Sequence, residues 1–332
     1  MNTVKWGVLS GAEIAVRQVV PAILKAPNAE VAAVASESGK EVKLKEQFNV
    51  SKAYSSYTEL LNDPEIDAVY IPLPNGLHAK WVKEAAKHKK HVLCEKPASL
   101  TYQEAVEMMQ VCEENNVIFM ESFMYQFHPQ HNRVKEVIHS GEIGEVKHMN
   151  SDLSFVLHSL EGNIRSDRNL GGGSLYDLGC YQIHAIRMIL GEEPVRVFGM
   201  EQLYDSYDVD QAAAVTMEME SGLLASFNCS MNMAGRQTYE VVGTKGKITV
   251  SKAYVPHEDG IGKLTVDRED GHHREEILEG YFYEIGVEHL SSRILEGREP
   301  VNTAENTIQN MRVLEACLTS MQKKQPVEVT TK

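Results

Sequence analysis

Read for its apolar positions, the first 120 residues alternate between two periods. Short, nearly continuous apolar runs, "VKWGVL" (4–9), "VAAVAS" (31–36), "AVYIPL" (68–73), "HVLCE" (91–95) and "VIFMES" (117–122), predict strands. Between them "EIAVRQVVPAILKA", "YTELLND", "HAKWVKEAAKH" and "TYQEAVEMMQVCEENN" repeat apolar residues at helical spacing. Strands that are apolar throughout and separated by helices imply a parallel sheet covered on both faces, a doubly wound α/β domain with ligand loops at its carboxyl edge. Past residue 123 the rhythm changes. "HPQHNRVKEVIHSG" predicts a helix ended by Gly141, "EVKHMNSDLSFVL" a strand, and "GSLYDLGCYQIHAIRMILG" a helix entered through glycines and closed by Gly191. Five strand-like runs follow, "VRVFGMEQLY", "QAAAVTMEME", "LLASFNCSM", "QTYEVVGT" and "KITVS", and a last helix spans about 303–323. The breaks "ESG" and "TKG" favour hairpins and a largely antiparallel sheet. The expected division is a doubly wound α/β domain over 1–122 and a second domain over 123–332.

Composition narrows the partners. A formal net charge of −14 argues against nucleic acid or an anionic membrane, while a helix N-terminus still accommodates a small anion. The five cysteines are widely spaced with no CxxC pair, so neither a metal knuckle nor a disulfide framework is expected. No apolar run reaches eighteen residues and no secretory signal opens the chain, which points to a reducing cytoplasm.

Candidate chemistry gathers at the ends of the predicted strands. "GVLSGAEIA" (7–15) lies between the first strand and helix, where a GxGxxG fingerprint would fall on Ser10, Ala12 and Ala15. Small residues there still let the backbone approach a pyrophosphate, although a ligand-free tight turn reads the same way. Glu37 follows the second strand, where an acid would hold a ribose and repel a 2′-phosphate; Ser36 holds the usual acidic position and Lys40 is close by. This favours NAD over NADP by a small margin. In "YIPLPNGLH", Pro72 and Pro74 force the chain out of the sheet, Asn75 is placed to cap the next helix, and His78 is either a packing residue or a ligand contact.

"HVLCEKPASL" breaks its own apolar pattern with Glu95 and Lys96. A lysine there can donate to a substrate oxygen, and Pro97 permits a cis bond after it. In "NLGGGSLYDLGCYQIH", Asp177 and Tyr181 are four apart and share a helix face, with a glycine run that brings the chain close to something upstream. Tyrosine, with an ordinary pKa of about 10, needs a nearby cation to act as a base, and Lys96 is the candidate. The alternative makes Tyr181 a core aromatic and Asp177 a surface charge.

Together "WGVLSGAEIA", the proline-flanked Asn75, "EKP", "ESFMYQFHPQ" and "GGGSLYDLGCY" resemble the glucose–fructose oxidoreductase/inositol dehydrogenase (Gfo/Idh/MocA) family along nearly the whole chain. The resemblance implies a Rossmann domain, a C-terminal α/β domain whose open sheet makes dimer or tetramer contacts, and NAD(P)-dependent hydride transfer on sugars, cyclic polyols or related diols. It implies Lys96, Asp177 and Tyr181 as catalytic. Cofactor contacts are expected from Ser10, Gly11, Ala12, Ile14, Ser36, Glu37, Pro72, Leu73, Asn75, His78, Glu95 and Lys96. Substrate contacts are expected from Lys96, Tyr125, Arg165, Asp177 and Tyr181, and no metal is expected. Tyrosine at the acid/base position is similar to the dihydrodiol dehydrogenase branch, from which Gln126 departs by replacing an arginine. The competing reading is a nucleotide-binding regulatory or scaffold protein without turnover; a third keeps the cofactor bound and oxidises one sugar while reducing another.

Overall fold

A computed structural model describes residues 3–255 and 259–329. Two compact units result: Met1–Met124 with Tyr283–Met311, and Tyr125–Phe282 with Arg312–Lys332.

The first unit is built on six parallel strands, β1 (Val4–Leu9), β2 (Ala29–Ala35), β3 (Lys52–Tyr54), β4 (Ala68–Ile71), β5 (His91–Cys94) and β6 (Phe119–Glu121), in the order β3-β2-β1-β4-β5-β6. The order reverses direction between β1 and β4, which is where an open α/β sheet leaves its ligand crevice. Helices α1 (Val20–Lys25), α2 (Glu41–Phe48), α3 (Tyr57–Leu61), α4 (Asn75–Lys87) and α5 (Tyr102–Glu114) connect the strands. β4 is buried at all four positions, so its apolar run reflects packing on both faces. α5 opens on a capping bond, in which Thr101 accepts from the Glu104 amide, and the Glu104 carboxylate reaches back to accept from the Leu100 amide before the cap.

Residues 283–311 group with the first unit, although in sequence they follow most of the second. They contribute most of α8 (Phe282–Glu296) and the start of α9 (Ala304–Lys323). Polar side chains account for this docking. Trp6 Nε1, on a fully buried ring, donates to Ser291 Oγ at 3.2 Å, and Asn28 Nδ2 donates to Glu288 O and Ser292 Oγ, each at 2.9 Å.

In the second unit, α6 (Pro129–His139) and α7 (Cys180–Leu190) accompany a sheet of β7 (Val146–Val156), β8 (Pro194–Tyr204), β9 (Tyr207–Met219), β10 (Leu224–Ser230), β11 (Asn232–Gly243), β12 (Gly246–Val250), β13 (Ile261–Arg268), β14 (His273–Glu279) and β15 (Val327–Glu328). Its order is β14-β13-β12-β11-β7-β10-β9-β8-β15, antiparallel except for the parallel pair β7–β10. One row of side chains is buried: Met149, Ala213, Val215, Phe227, Val241, Ile248 and Leu264. The opposite row is mainly polar, with Asn150, Thr216, Asn228, Glu240, Lys247 and Lys263. Its exposed apolar residues include Phe198 (39% exposed) and Met200 (63%) on β8, beside Ala212 and Ala214 of β9, and, on other strands, Leu224 of β10 and Ile277 of β14.

His131, fully enclosed on α6, shares a hydrogen bond of 2.9 Å between its Nδ1 and the Tyr239 hydroxyl. Burial, with His128 adding to it, lowers its pKa from 6.5 to about 3. Its neutral form therefore contributes stability in full above pH 6.5, and that contribution is lost as the pH falls towards 3. Between pH 7 and 4.5 the loss amounts to about 2–3 kcal/mol. Calorimetry across that range should show a smaller fall in Tm for His131→Gln than for the wild type; equal slopes would mean that this ring does not govern acid sensitivity.

Candidate active site

The crossing from β1 to its helix forms the first half of the site. Ser10 adopts φ +108°, a conformation that few side chains tolerate, while its amide donates to Ala35 O at 2.8 Å. The chain then enters a π turn, Ala15–Val19, through Ile14. Gly11 and Ala12 face a cleft of about 480 Å³ whose other walls include Lys40, Lys43 and Leu44 of the α2 region. The small residues leave the backbone accessible, the cleft is large enough for half a dinucleotide, and the lysines suit its phosphates. These residues fit an NAD(P) cofactor.

At the end of β2, Ser36 is buried and its hydroxyl is taken up locally, 3.0 Å from Ser38 Oγ and accepting from the amides of Ser38 and Lys40. Glu37 is exposed beside it. Tyr57, which the sequence marks only as the start of a helical segment, hydrogen-bonds both Ser10 and the Glu37 backbone; burial pushes its phenol pKa up. Its ring packs edge-on against Trp81 at 5.0 Å. A lone aromatic at the start of a short helix carries no sequence signal for that role.

Lys96 lies two residues past the end of β5, half-buried, and its bond to Pro97 is cis. Three side chains hold the loop around it. Tyr70 donates to Glu95 Oε1 at 2.8 Å. Burial raises the Glu95 pKa, while Tyr70, Lys96 and Ser122 pull it back. Glu121, fully buried at the end of β6, accepts from the Ala98 amide at 2.9 Å. His78 bridges two loops, with Nε2 2.7 Å from Leu73 O and Nδ1 2.9 Å from Pro97 O. Burial lowers the His78 pKa to about 4, so near neutrality the ring carries one proton and donates to one of the two carbonyls.

This corrects one expectation. His78 is fully enclosed with both ring nitrogens against protein carbonyls, so it is a strut beneath the loops rather than a cofactor contact. Pro72 and Leu73 are buried, and Asn75 is the first residue of α4, with Pro74 in the capping position.

The second unit assembles the other group. A π turn, Leu175–Gly179, carries Asp177 and passes into α7, which carries Tyr181. Arg165 Nε donates to Asp177 Oδ2 at 2.7 Å, and its guanidinium lies 5.9 Å from the Phe155 ring centre. The glycine run explains the pairing: a Cβ on Gly172 would stand 2.5 Å from Arg165 O, and Gly173 N donates to that carbonyl at 3.0 Å. The upstream element approached by the glycines is therefore the Arg165 backbone.

The half-buried Tyr181 ring lies 5.7 Å from Tyr125 and 5.9 Å from Tyr254. Tyr125 was expected to touch substrate; at 1% exposure it instead packs behind Tyr181, its hydroxyl 2.7 Å from His184 Nδ1. Tyr254 is fixed by Ser151, hydroxyl to hydroxyl at 2.5 Å. The half-buried Gln126 has a buried Nε2 with no hydrogen-bond partner among the described residues. The structure thus brings together Ser10, Gly11 and Ala12; Glu95 and Lys96; and, separately, Arg165 with Asp177.

Comparison with known proteins agrees with this architecture. Residues 5–123 match the model for an oxidoreductase family with an NAD-binding Rossmann fold, and residues 131–249 match the GFO/IDH/MocA C-terminal domain. A D-xylose 1-dehydrogenase (NADP(+)) from Haloferax volcanii is 35% identical over 325 residues, covering 98% of this chain and 99% of that one. The trans-1,2-dihydrobenzene-1,2-diol dehydrogenase of Mus musculus is 30% identical over 76% of each chain. A 3-ketoreductase from Actinomadura kijaniata, solved with NADP and TDP-benzene, superimposes with a TM-score of 0.91 at 28% identity, covering 96% of this chain and 98% of that one. With both of its domain models matched and a D-xylose dehydrogenase aligned almost end to end, this chain belongs to the Gfo/Idh/MocA family of NAD(P)-dependent oxidoreductases.

Proposed function

We propose that this enzyme interconverts a hydroxyl and a carbonyl on a sugar, cyclic polyol or related diol, using Lys96, Tyr181 and Asp177. The observation that carries the reading is Lys96 standing at the end of β5 on a loop braced by Tyr70, His78 and Glu121, in a chain aligned over 98% of its length with a D-xylose dehydrogenase. Bound through Ser10, Gly11, Ala12 and Glu37, the nicotinamide cofactor supplies the hydride acceptor or donor. Tyr181 takes the hydroxyl proton during oxidation and returns it during reduction. Lys96 donates to the same substrate oxygen and favours the phenolate. Asp177, fixed by Arg165, accepts from a neighbouring hydroxyl, so that a vicinal diol binds better than a simple alcohol.

Three further properties complete the proposal. Glu37 favours NAD, because an exposed carboxylate beside the ribose repels a 2′-phosphate. The Phe198, Met200, Ala212 and Ala214 patch supports a dimer or tetramer through the second sheet. All five cysteines are free and buried, which suits the cytoplasm; among the described residues no helix is long and apolar enough to cross a membrane.

The first test is a panel of aldoses, cyclic polyols and diols with NAD+ and NADP+, following reduced nicotinamide by absorbance; absence of turnover throughout would favour the regulatory alternative. In that assay Lys96→Met should nearly abolish turnover while keeping cofactor affinity within about tenfold, and Tyr181→Phe should slow it by about 10²–10⁴. Residual oxidation by Lys96→Met should need higher pH, since the cation that favours phenolate is gone. An unimpaired Tyr181→Phe enzyme would assign the proton to another group.

Calorimetry should find NAD+ bound more tightly than NADP+, with Glu37→Arg reversing the order. Tighter NADP+ binding by the wild type would remove Glu37 from the assignment.

Light scattering at micromolar concentration should report a dimer or tetramer, shifted towards monomer by Met200→Lys. A monomeric wild type would contradict the sheet contact.

A further inference from the structure

Asp210 lies on β9, thirty-five residues beyond the helix start that it touches, and only 5% of it is exposed. Its Oδ2 accepts from Ser174 Oγ at 2.5 Å and from the Leu175 amide at 2.8 Å, and the Ser174 amide adds a further bond to the carboxylate. These donors open the π turn that carries Asp177 and leads into α7 with Tyr181.

A helix start leaves amides without intrahelical partners, and the residue just before the helix ordinarily supplies the missing acceptor. Here that residue, Ser174, is itself in a helical conformation and makes no side-chain cap. Its hydroxyl instead turns away to donate to Asp210. The acceptor has been transferred from the helix to the sheet.

Gly173 fits the same purpose. It adopts φ +105°, and a Cβ added there would stand 2.1 Å from Asp210 Oδ1. The carboxylate thus occupies the volume that any side chain at 173 would need. Burial pushes the Asp210 pKa up, and the Ser174 and Leu175 donors oppose that shift. A negative charge against helix amides is also favoured by the helix dipole.

We propose that Asp210 is a positioning residue, a cap supplied by the sheet that fixes the start of the helix carrying Asp177 and Tyr181. The proposal rests on the roles given to those two residues above, because Asp210 acts through them. Loosening the helix start lets both side chains shift, and a displacement of about 1 Å at reacting groups can cost about 10² in rate. Cofactor affinity should be spared, since the cofactor residues come from the first unit.

The test compares Asp210→Ala, Asp210→Asn and Ser174→Ala with the wild type and with Tyr181→Phe. The readouts are turnover of the fastest sugar in the panel, calorimetric affinity for NAD+, and hydrogen exchange of the amides at 174–181 without ligand. Asp210→Ala should lower kcat at least tenfold with cofactor Kd within twofold, and exchange at 174–181 should accelerate at least tenfold while residues 185–190 keep their protection. Asp210→Asn, which retains an acceptor, should recover kcat to within about threefold. If Asp210→Ala does not fold, Ser174→Ala carries the test, with exchange several-fold faster over the same stretch.

Unchanged exchange at 174–181 would overturn the proposal. So would a uniform rise in exchange throughout the second unit, with kcat falling only in proportion to the unfolded fraction. An unimpaired Tyr181→Phe would refute the catalytic reading of that residue and leave the exchange measurement to decide the cap.

Discussion

A polar group at the end of a buried strand must find its partner inside the protein, and the first half of the site depends on that constraint. Left without a partner, such a group costs about 1–3 kcal/mol, a large share of the stability of an ordinary domain. At the carboxyl edge of the first sheet the partners come from different strands. Tyr70 of β4 serves Glu95 after β5, Glu121 of β6 serves the Ala98 amide, and His78 of α4 ties Pro97 O to Leu73 O. Each bond spans at least 19 residues of sequence except the contact with Leu73, so the loop that carries Lys96 takes its position from the sheet. Glu95, the charge that looks misplaced in an apolar strand, is part of this framework.

The second unit reaches a similar end by close backbone approach. Side chains at Gly172 or Gly173 would meet the Arg165 carbonyl or the Asp210 carboxylate at 2.5 Å or less. Removing both side chains lets one short run pack against the Arg165 backbone on one side and β9 on the other. Asp177 then reaches the guanidinium of the residue whose backbone its own glycines touch. Tyr181 gains its setting from packing rather than hydrogen bonds alone, against Tyr125 and Tyr254, which are themselves held by His184 and Ser151.

The parts legible in the sequence are those where burial writes a pattern. β1, β2, β4, β5 and β6 stand out as apolar runs, and the glycine run announces a close approach before its partner is known. Elements with thin cores were missed. α2 buries a single residue, Leu44; β3 is three residues long and buries none; β14 has no fully buried position. α8 was missed too, since its inward positions, Val287, Leu290 and Ser291, mix apolar and polar types. Sequence reading also gave His78 and Tyr125 to ligands because residue type reveals chemical capacity and not burial. Asp210 escaped for the opposite reason: an acid in the polar stretch "YDSYDVDQ" reads as a surface charge, and only its hydrogen bonds to the helix start show it inward.

The acidic character of the chain and its use of an anionic cofactor are reconciled by distance. A formal charge of −14 describes the whole molecule, but at 0.1 M salt exposed charges beyond about 10 Å are largely screened. What a pyrophosphate meets is the local lining of its cleft, where Arg17, Lys40 and Lys43 stand with Glu13 beside Gly11 and Ala12. Three cations against one carboxylate make that cleft locally basic. Glu37 is exposed just outside this lining at the end of β2, so it can influence a ribose without cancelling the attraction for the phosphates. Net charge therefore argues against extended polyanions, whose many phosphates sample the whole surface, while leaving a single dinucleotide governed by the residues within one screening length.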